Sequence, residues 1–240
     1  MTRIVFEKFS AYYKEKKEYV TALDQISLEI FDGQFVAVVG ESGSGKSTLL
    51  KSIMGFCDYI DGDLTVNGTP IDNLSLKSGL FAYVNQEISL YPSMTIYDNI
   101  AFPLRTIHAT EEEIAKRVTE IATQIGIEWL LTRKPKQLSW GQQQRVAIAR
   151  ALVKRPEIAL FDEPFANLDA PNREGLRRLV KEIHQKLGMT TIFVTHELDE
   201  AFALADRIVV LEKGKIVDDG TLDQLKAHCN SDLLRNYLRS

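Results

Sequence analysis

The run Gly40-Glu41-Ser42-Gly43-Ser44-Gly45-Lys46-Ser47 carries the full spacing G-x-x-x-x-G-K-S. Gly43 and Gly45 let the backbone curl tightly enough for its N–H groups to face phosphate oxygens. A helix opening at Lys46 would add the positive end of its dipole. Lys46 is then placed to reach the β- and γ-phosphates of a nucleotide, and the Ser47 hydroxyl to bind Mg2+. The plain alternative is a flexible glycine-serine turn. It is disfavoured because a buried strand precedes the loop and a helix follows it.

Two further groups sit where strands end. Ile158–Phe161 is an apolar strand that runs into Asp162 and Glu163, and open α/β sheets bind ligands at the carboxyl ends of their strands. Asp162 can hold a metal directly or through water, and Glu163 can polarise an attacking water. An exposed acidic turn would look the same. His196 follows the strand Thr190–Val194 and could serve a nucleotide site from there, although a lone histidine is more often structural. His108, His184 and His228 lie in polar helical or loop surroundings and are expected to be solvated.

The elements that must position these residues alternate between strand and helix, which argues for an α/β fold. Arg3–Phe9 and Ile26–Ile30 alternate apolar and polar. Phe35–Val39 is continuously apolar, as a buried strand is. Helices are expected at Ser47–Met54, Pro171–Leu187, Glu197–Ala205 and Thr221–Ala227, and a hairpin turn at 212–215. Asn67-Gly68 marks another turn, after Leu64–Val66. From Ser89 to Lys154 no strong strand pattern occurs, so this stretch reads as a helical insertion. Within it Thr110 and Glu113 have capping-box spacing, and Ile114, Val118, Ile121 and Ile125 form one stripe. The expected division is a core of 1–88 and 155–240, with a helical subdomain of 89–154.

Composition narrows the class without naming an activity. The 240 residues hold 29 Lys+Arg against 33 Asp+Glu, which excludes a nucleic-acid binder that works by bulk positive charge. Hydrophobic residues make up 45% of the chain, which is typical of a folded domain. No apolar run approaches the length of a membrane span. Cys57 and Cys229 fit a reduced, cytosolic protein.

The segment Leu138-Ser139-Trp140-Gly141-Gln142-Gln143-Gln144-Arg145 and its continuation to Leu152 resemble the signature sequence of ATP-binding-cassette (ABC) ATPases. The order of motifs is similar too: phosphate loop, Gln86 after a strand, signature, acidic strand, Asn167-Leu168-Asp169, then His196. The resemblance covers essentially the whole chain. It implies a P-loop NTPase (RecA-like) core with a mainly parallel sheet, an antiparallel β subdomain at the N-terminus and an inserted helical subdomain. It also implies ATP with Mg2+ and two head-to-tail cassettes, identical or not, sandwiching two nucleotides.

Carried over by position, the resemblance makes Glu163 the general base and Asp162 the metal-binding aspartate. Gln86 becomes the glutamine that touches Mg2+ and the attacking water, and His196 the switch histidine at the γ-phosphate. Asp169 belongs to the loop that faces the other cassette. The nucleotide-binding set spans Gly40, Glu41, Ser42, Gly43, Ser44, Gly45, Lys46, Ser47 and Thr48. Ser139, Gly141 and Gln142 serve the other subunit's nucleotide. Tyr13 is the expected adenine-stacking aromatic by its four-residue offset from Phe9, with Tyr12 its rival. Trp140 replaces the usual glycine, while the following Gly141, where a bare backbone matters, is intact.

Leu90–Phe102, Lys134–Ser139, Asp162–Phe165 and Thr195–Arg207 are similar to segments of importer ATPases. The resemblance therefore implies a cytosolic motor on the inner membrane face, with separate permease subunits and an external solute-binding protein. Ending at Ser240, the chain resembles shorter importer subunits that lack a C-terminal barrel, such as those for nitrate- or sulfonate-like substrates. Leu90, Tyr91, Pro92 and Met94 either receive a short permease helix or pack the helical insertion. An exporter or lipid-handling ATPase, a soluble cassette, and a binding module without turnover are the alternatives.

Overall fold

Strand β1 (Ile4–Glu15) pairs antiparallel with β2 (Glu18–Ile30), and both run well past the stretches whose alternation is visible in the sequence. Residues 3–15, 18–57, 59–74, 79–166 and 168–239 are described by this computed structural model. Asn167 of the Asn167-Leu168-Asp169 motif lies outside them. The β1–β2 register slips after Phe6, and Lys8 and Gln25 take positive φ, so bulges interrupt the two-residue period. The hydroxyls of Ser27 and Ser10 accept the Lys8 and Gln25 N–H groups, at 3.2 and 3.0 Å. Strand β3 (Phe35–Val39) is buried along its whole length and leads through the phosphate loop into α1 (Lys46–Ile53). β4 (Tyr59–Val66) joins the other side of β1, and the short β5 (Thr69–Pro70) extends that antiparallel sheet.

The chain forms two compact units, Met1–Leu76 with Met189–Ser240 and Lys77–Gly188. The second begins with β6 (Phe81–Val84) and continues through α2 (Ile96–Arg105), α3 (Glu111–Ile125) and α4 (Trp140–Leu152). It then adds β7 (Ile158–Asp162), parallel to β6, and α5 (Ala170–Leu187). Thr95, Thr110, Ser139 and Asp169 cap the four helices, each through a side-chain oxygen that accepts an N–H of the first turn. At Thr110 the Glu113 carboxylate pairs with Arg117 at 2.7 Å. The stripe Ile114, Val118, Ile121 and Ile125 is buried. His184, expected in solvent, is instead buried with Leu176, Leu179, Val180 and Ile183, because it falls four residues after Val180 on the packed face of α5.

The chain then returns to the first unit with β8 (Thr190–Thr195), α6 (Leu198–Leu204), β9 (Arg207–Glu212), β10 (Lys215–Gly220), α7 (Leu222–Ala227) and α8 (Asp232–Arg239). β3 lies between β8 and β9, parallel to both, and β10 closes antiparallel on β9. β3 is apolar and β8 is half threonine, yet both are buried at every position, as strands of a parallel sheet covered on both faces are. Among the described residues, no helix is long and apolar enough to cross a membrane.

Candidate functional site

In the first unit the phosphate loop is shaped by close approaches on both sides. A Cβ at Gly40 would meet the Leu211 carbonyl oxygen at 2.2 Å, and one at Gly45 the Ala22 carbonyl oxygen at 2.5 Å. Gly45 also has φ +107°, which side chains other than glycine rarely adopt. The Gly214 N–H binds the Ser44 carbonyl at 2.9 Å. The loop is thus wedged between β9 and β2. Gly43 has φ +80° with open space beyond it.

Lys46 is buried, and its Nζ donates to the carbonyls of Gly40 and Glu41 at 2.8 and 2.9 Å. The ammonium is therefore held against the carbonyls at the start of the loop. No side chain caps α1 and no acidic residue lies in its first turn. This leaves the positive end of the helix without a built-in anion, unlike the four capped helices of the other unit. The buried Ser44 hydroxyl oxygen has no hydrogen-bond partner among the described residues. Tight glycines, an uncapped helix start, a seated lysine and an unsatisfied hydroxyl together suit a phosphate group.

β3 and β8 are in register at Val39 and Thr195, so Gly40 and His196 leave the same end of neighbouring strands. The Thr195 hydroxyl donates to Glu200 at 2.7 Å and accepts the Glu197 N–H at 3.0 Å. That turn presents His196 half exposed, with Nε2 3.8 Å from a Glu197 oxygen. Tyr12 and Tyr13 are both half-buried on β1, opposite Thr21 and Val20. β2 reaches Ala22, the neighbour of Gly45, directly beyond Thr21.

In the second unit the parallel pair β6–β7 is in register at Val84 and Phe161, so Gln86 and Glu163 both emerge two residues later from the same sheet end. Asp162 is buried, and the Tyr83 hydroxyl donates to its Oδ2 at 2.9 Å. Burial, and then the neighbouring Asp162 charge, push the Tyr83 phenol well above the usual tyrosine range. Tyr83 therefore stays a donor and fixes the carboxylate. Glu163 is half-buried with φ +44°, a strained conformation for a residue with a side chain. Gln86 is exposed.

The same unit carries the signature segment. Ser139 and Gln142 form a reciprocal capping box at the start of α4, while Trp140 stands 45% exposed in the first turn. A Cβ at Gly141 would come within 3.1 Å of the Asn172 side chain. The Asn172 N–H, in turn, is capped by Asp169 at 3.0 Å. Two helix starts thus lie side by side. Farther along, Tyr91 packs on Phe102 at 4.8 Å and under the Arg150 guanidinium at 5.6 Å. Its backbone is tied to the fully buried Asn99. A cavity of about 390 Å³ is lined by Tyr83, Asn85, Pro103, Arg150 and Lys154.

Tyr83 and Asn172 belong to no motif in the sequence. Each matters through a neighbour distant in sequence. Among the described residues, no cluster of three or more His, Cys, Asp or Glu side chains could hold a metal. Magnesium bound mainly through phosphates and one or two protein oxygens needs no such cluster.

Comparison with known proteins agrees with this picture. The ABC transporter family profile matches residues 23–166. The chain is 43% identical over 221 residues to the oligosaccharides import ATP-binding protein MsmX of Bacillus subtilis, covering 92% of this chain and 60% of that protein. It is 40% identical over 232 residues to the molybdate/tungstate import ATP-binding protein WtpC of Pyrococcus horikoshii, covering 97% and 66%. Against the sn-glycerol-3-phosphate import ATP-binding protein UgpC of Brucella abortus it is 40% identical, covering 100% and 68%. The chain thus spans roughly three fifths to two thirds of the length of these relatives.

Among solved structures, the cassette MJ0796, a dimer in a post-hydrolysis state bound to ADP and Pi, matches with TM-score 0.79 at 32% identity, covering 92% of this chain and 99% of that one. CbiO1 from Clostridium perfringens, part of the ABC transporter complex cbiONQ, matches with TM-score 0.83 at 30% identity, covering 94% and 90%.

Proposed function

The chain belongs to the ABC transporter family, and we propose that it is the ATP-binding, ATP-hydrolysing subunit of an importer that drives solute through separate permease subunits. The observation that carries this reading is the phosphate loop, with Lys46 seated on the carbonyls at its start. The import names of its relatives support the direction of transport.

In this reading residues 40–48 wrap the phosphates, and Lys46 exchanges its two carbonyl partners for phosphate oxygens. Either Tyr13 or Tyr12 stacks on the base. Ser47, Asp162 and Gln86 would hold Mg2+, which supplies charge neutralisation on the phosphates when bound. Glu163 accepts a proton from the attacking water, and His196 contacts the γ-phosphate. Positioning and charge stabilisation do most of the work.

Ser139, Gly141 and Gln142 complete the site of a second cassette, whose own signature completes this one. The dimeric state of MJ0796 supports that arrangement. Residues 1–88 with 155–240 act as the nucleotide-binding core, and 89–154 as a helical subdomain. The exposed edge of Tyr91, with Leu90, Pro92 and Met94, receives a permease segment and holds the protein at the cytoplasmic face of the membrane. A solute-binding protein outside the membrane delivers the cargo.

The test is ATP turnover of the full chain and of Glu163→Gln, with sizing in ATP. The variant is expected to bind ATP, lose hydrolysis and accumulate as an ATP-bound dimer. Near-normal turnover in the variant would overturn the base assignment.

A further inference from the structure

Helix α8 lies far in sequence from every motif, yet it packs against the strand that leads into the phosphate loop and the helix that follows His196. Its start is anchored by Asp218 of β10. That buried carboxylate accepts the N–H groups of Asn230 and Ser231, each at 2.7 Å. Hydrogen bonds to a charged acceptor are stronger than neutral ones, so this is a firm tether. Leu234 is fully buried in a cluster with Val39, the residue before the phosphate loop, and with Leu198 and Ala201 of α6. Asp232 and Leu233 form one wall of a cleft of about 380 Å³, and residues 40–44 form another.

The contact with α6 is the more telling one. α6 has only seven residues and no side-chain cap at its start, so it draws little stability from its own hydrogen bonds. Its placement depends on what packs against it. Tyr237 of α8 donates its hydroxyl to Asp199 and stacks on Phe202 at 5.1 Å, gripping α6 on successive turns. Asp199 lies three residues after His196, within the turn that Thr195 ties to Glu200.

We propose that Tyr237 is a positioning residue for His196. Through Asp199 and Phe202, α8 sets the angle at which the turn after β8 presents the imidazole. The proposal rests on the reading of His196 as a γ-phosphate contact. It predicts a loss in the chemical step rather than in nucleotide binding, since the phosphate loop keeps its own wedging between β9 and β2.

The test uses the full chain and three conservative changes. Tyr237→Phe removes only the hydroxyl. Asp199→Ala removes its acceptor, and Asp199→Asn keeps an acceptor in place. Tyr237→Phe and Asp199→Ala are expected to lower kcat about tenfold, with the ATP Kd in calorimetry within about twofold of wild type. Asp199→Asn is expected to retain turnover. In NMR, Tyr237→Phe is expected to move the His196 C2–H resonance, identified by its loss in His196→Gln, and to leave those of His108 and His184 in place.

An unchanged kcat in Tyr237→Phe would overturn the proposal. So would an unmoved His196 resonance, or a parallel loss of ATP affinity. A wild-type chain that hydrolyses no ATP would instead sink the functional reading, and the resonance would still judge Tyr237.

Discussion

The two compact units treat their polar groups in opposite ways. In the first, the phosphate loop is locked. Gly40 and Gly45 are crowded by backbone carbonyls, and Lys46 is buried on two carbonyl oxygens. In the second, residues of the candidate site stand exposed or under strain. Glu163 has φ +44°, Gln86 is exposed, and Trp140 stands out at the start of α4. A site that must bind tightly gains from preorganisation, which removes the cost of ordering a loop around an anion. In the reading proposed above, Glu163 acts once a water is in place, and backbone strain is found at sites of that kind.

The contrast is sharpest inside the loop itself. Gly45→Ala forces a Cβ against the Ala22 carbonyl and a left-handed backbone onto alanine, and is expected to cost about 3 kcal/mol in urea unfolding. Gly43→Ala meets only the backbone penalty and is expected to cost about 1 kcal/mol. Equal losses would mean that the wedge between β9 and β2 contributes nothing. In the second unit the sign reverses. Glu163→Gly relieves backbone strain and is expected to raise stability by about 1 kcal/mol while abolishing turnover. A destabilised Glu163→Gly would remove strain from the account.

Tyr83→Phe tests the hydroxyl that holds the Asp162 carboxylate. The lost hydrogen bond is expected to cost about 1 kcal/mol at neutral pH. Because the folded phenol keeps its proton where the unfolded one releases it, wild-type stability should fall as pH rises past about 10. Unfolding measured from pH 9 to 11 should show that fall in wild type and a flatter profile in the variant. The smallest effect is expected at Trp140. Its indole is exposed, so Trp140→Gly should cost about 0.5 kcal/mol from helix propensity and leave turnover within about tenfold. A rise of orders of magnitude would mean that the indole obstructs the site.

Legibility in the sequence divides along similar lines. Structure written in consecutive residues is legible: the strand, loop and helix around 40–47, the apolar strands β3 and β7, and the capped stripe of α3. The full lengths of β1 and β2 are not, because bulges at Lys8 and Gln25 break the alternation. α2 is not delimited either, since Pro103 lies inside it and proline reads as a helix breaker. His184 reads as solvated from its own polarity, yet its position on the α5 face buries it. The Tyr83–Asp162 bond, the Asn172 side chain over Gly141 and the grip of α8 on α6 join residues tens of positions apart, which no spacing rule anticipates. The left-handed turn at Glu163 was hidden for another reason, since nothing about a glutamate announces positive φ.

The proposed roles of Lys46 in binding and Glu163 in cleavage are tested most directly by titrating ATP into Lys46→Ala and Glu163→Gln in parallel by calorimetry, with phosphate release followed on the same samples. The account predicts that Glu163→Gln binds ATP like wild type and releases no phosphate, while Lys46→Ala loses affinity. Unchanged ATP affinity in Lys46→Ala, or continued phosphate release in Glu163→Gln, would contradict it.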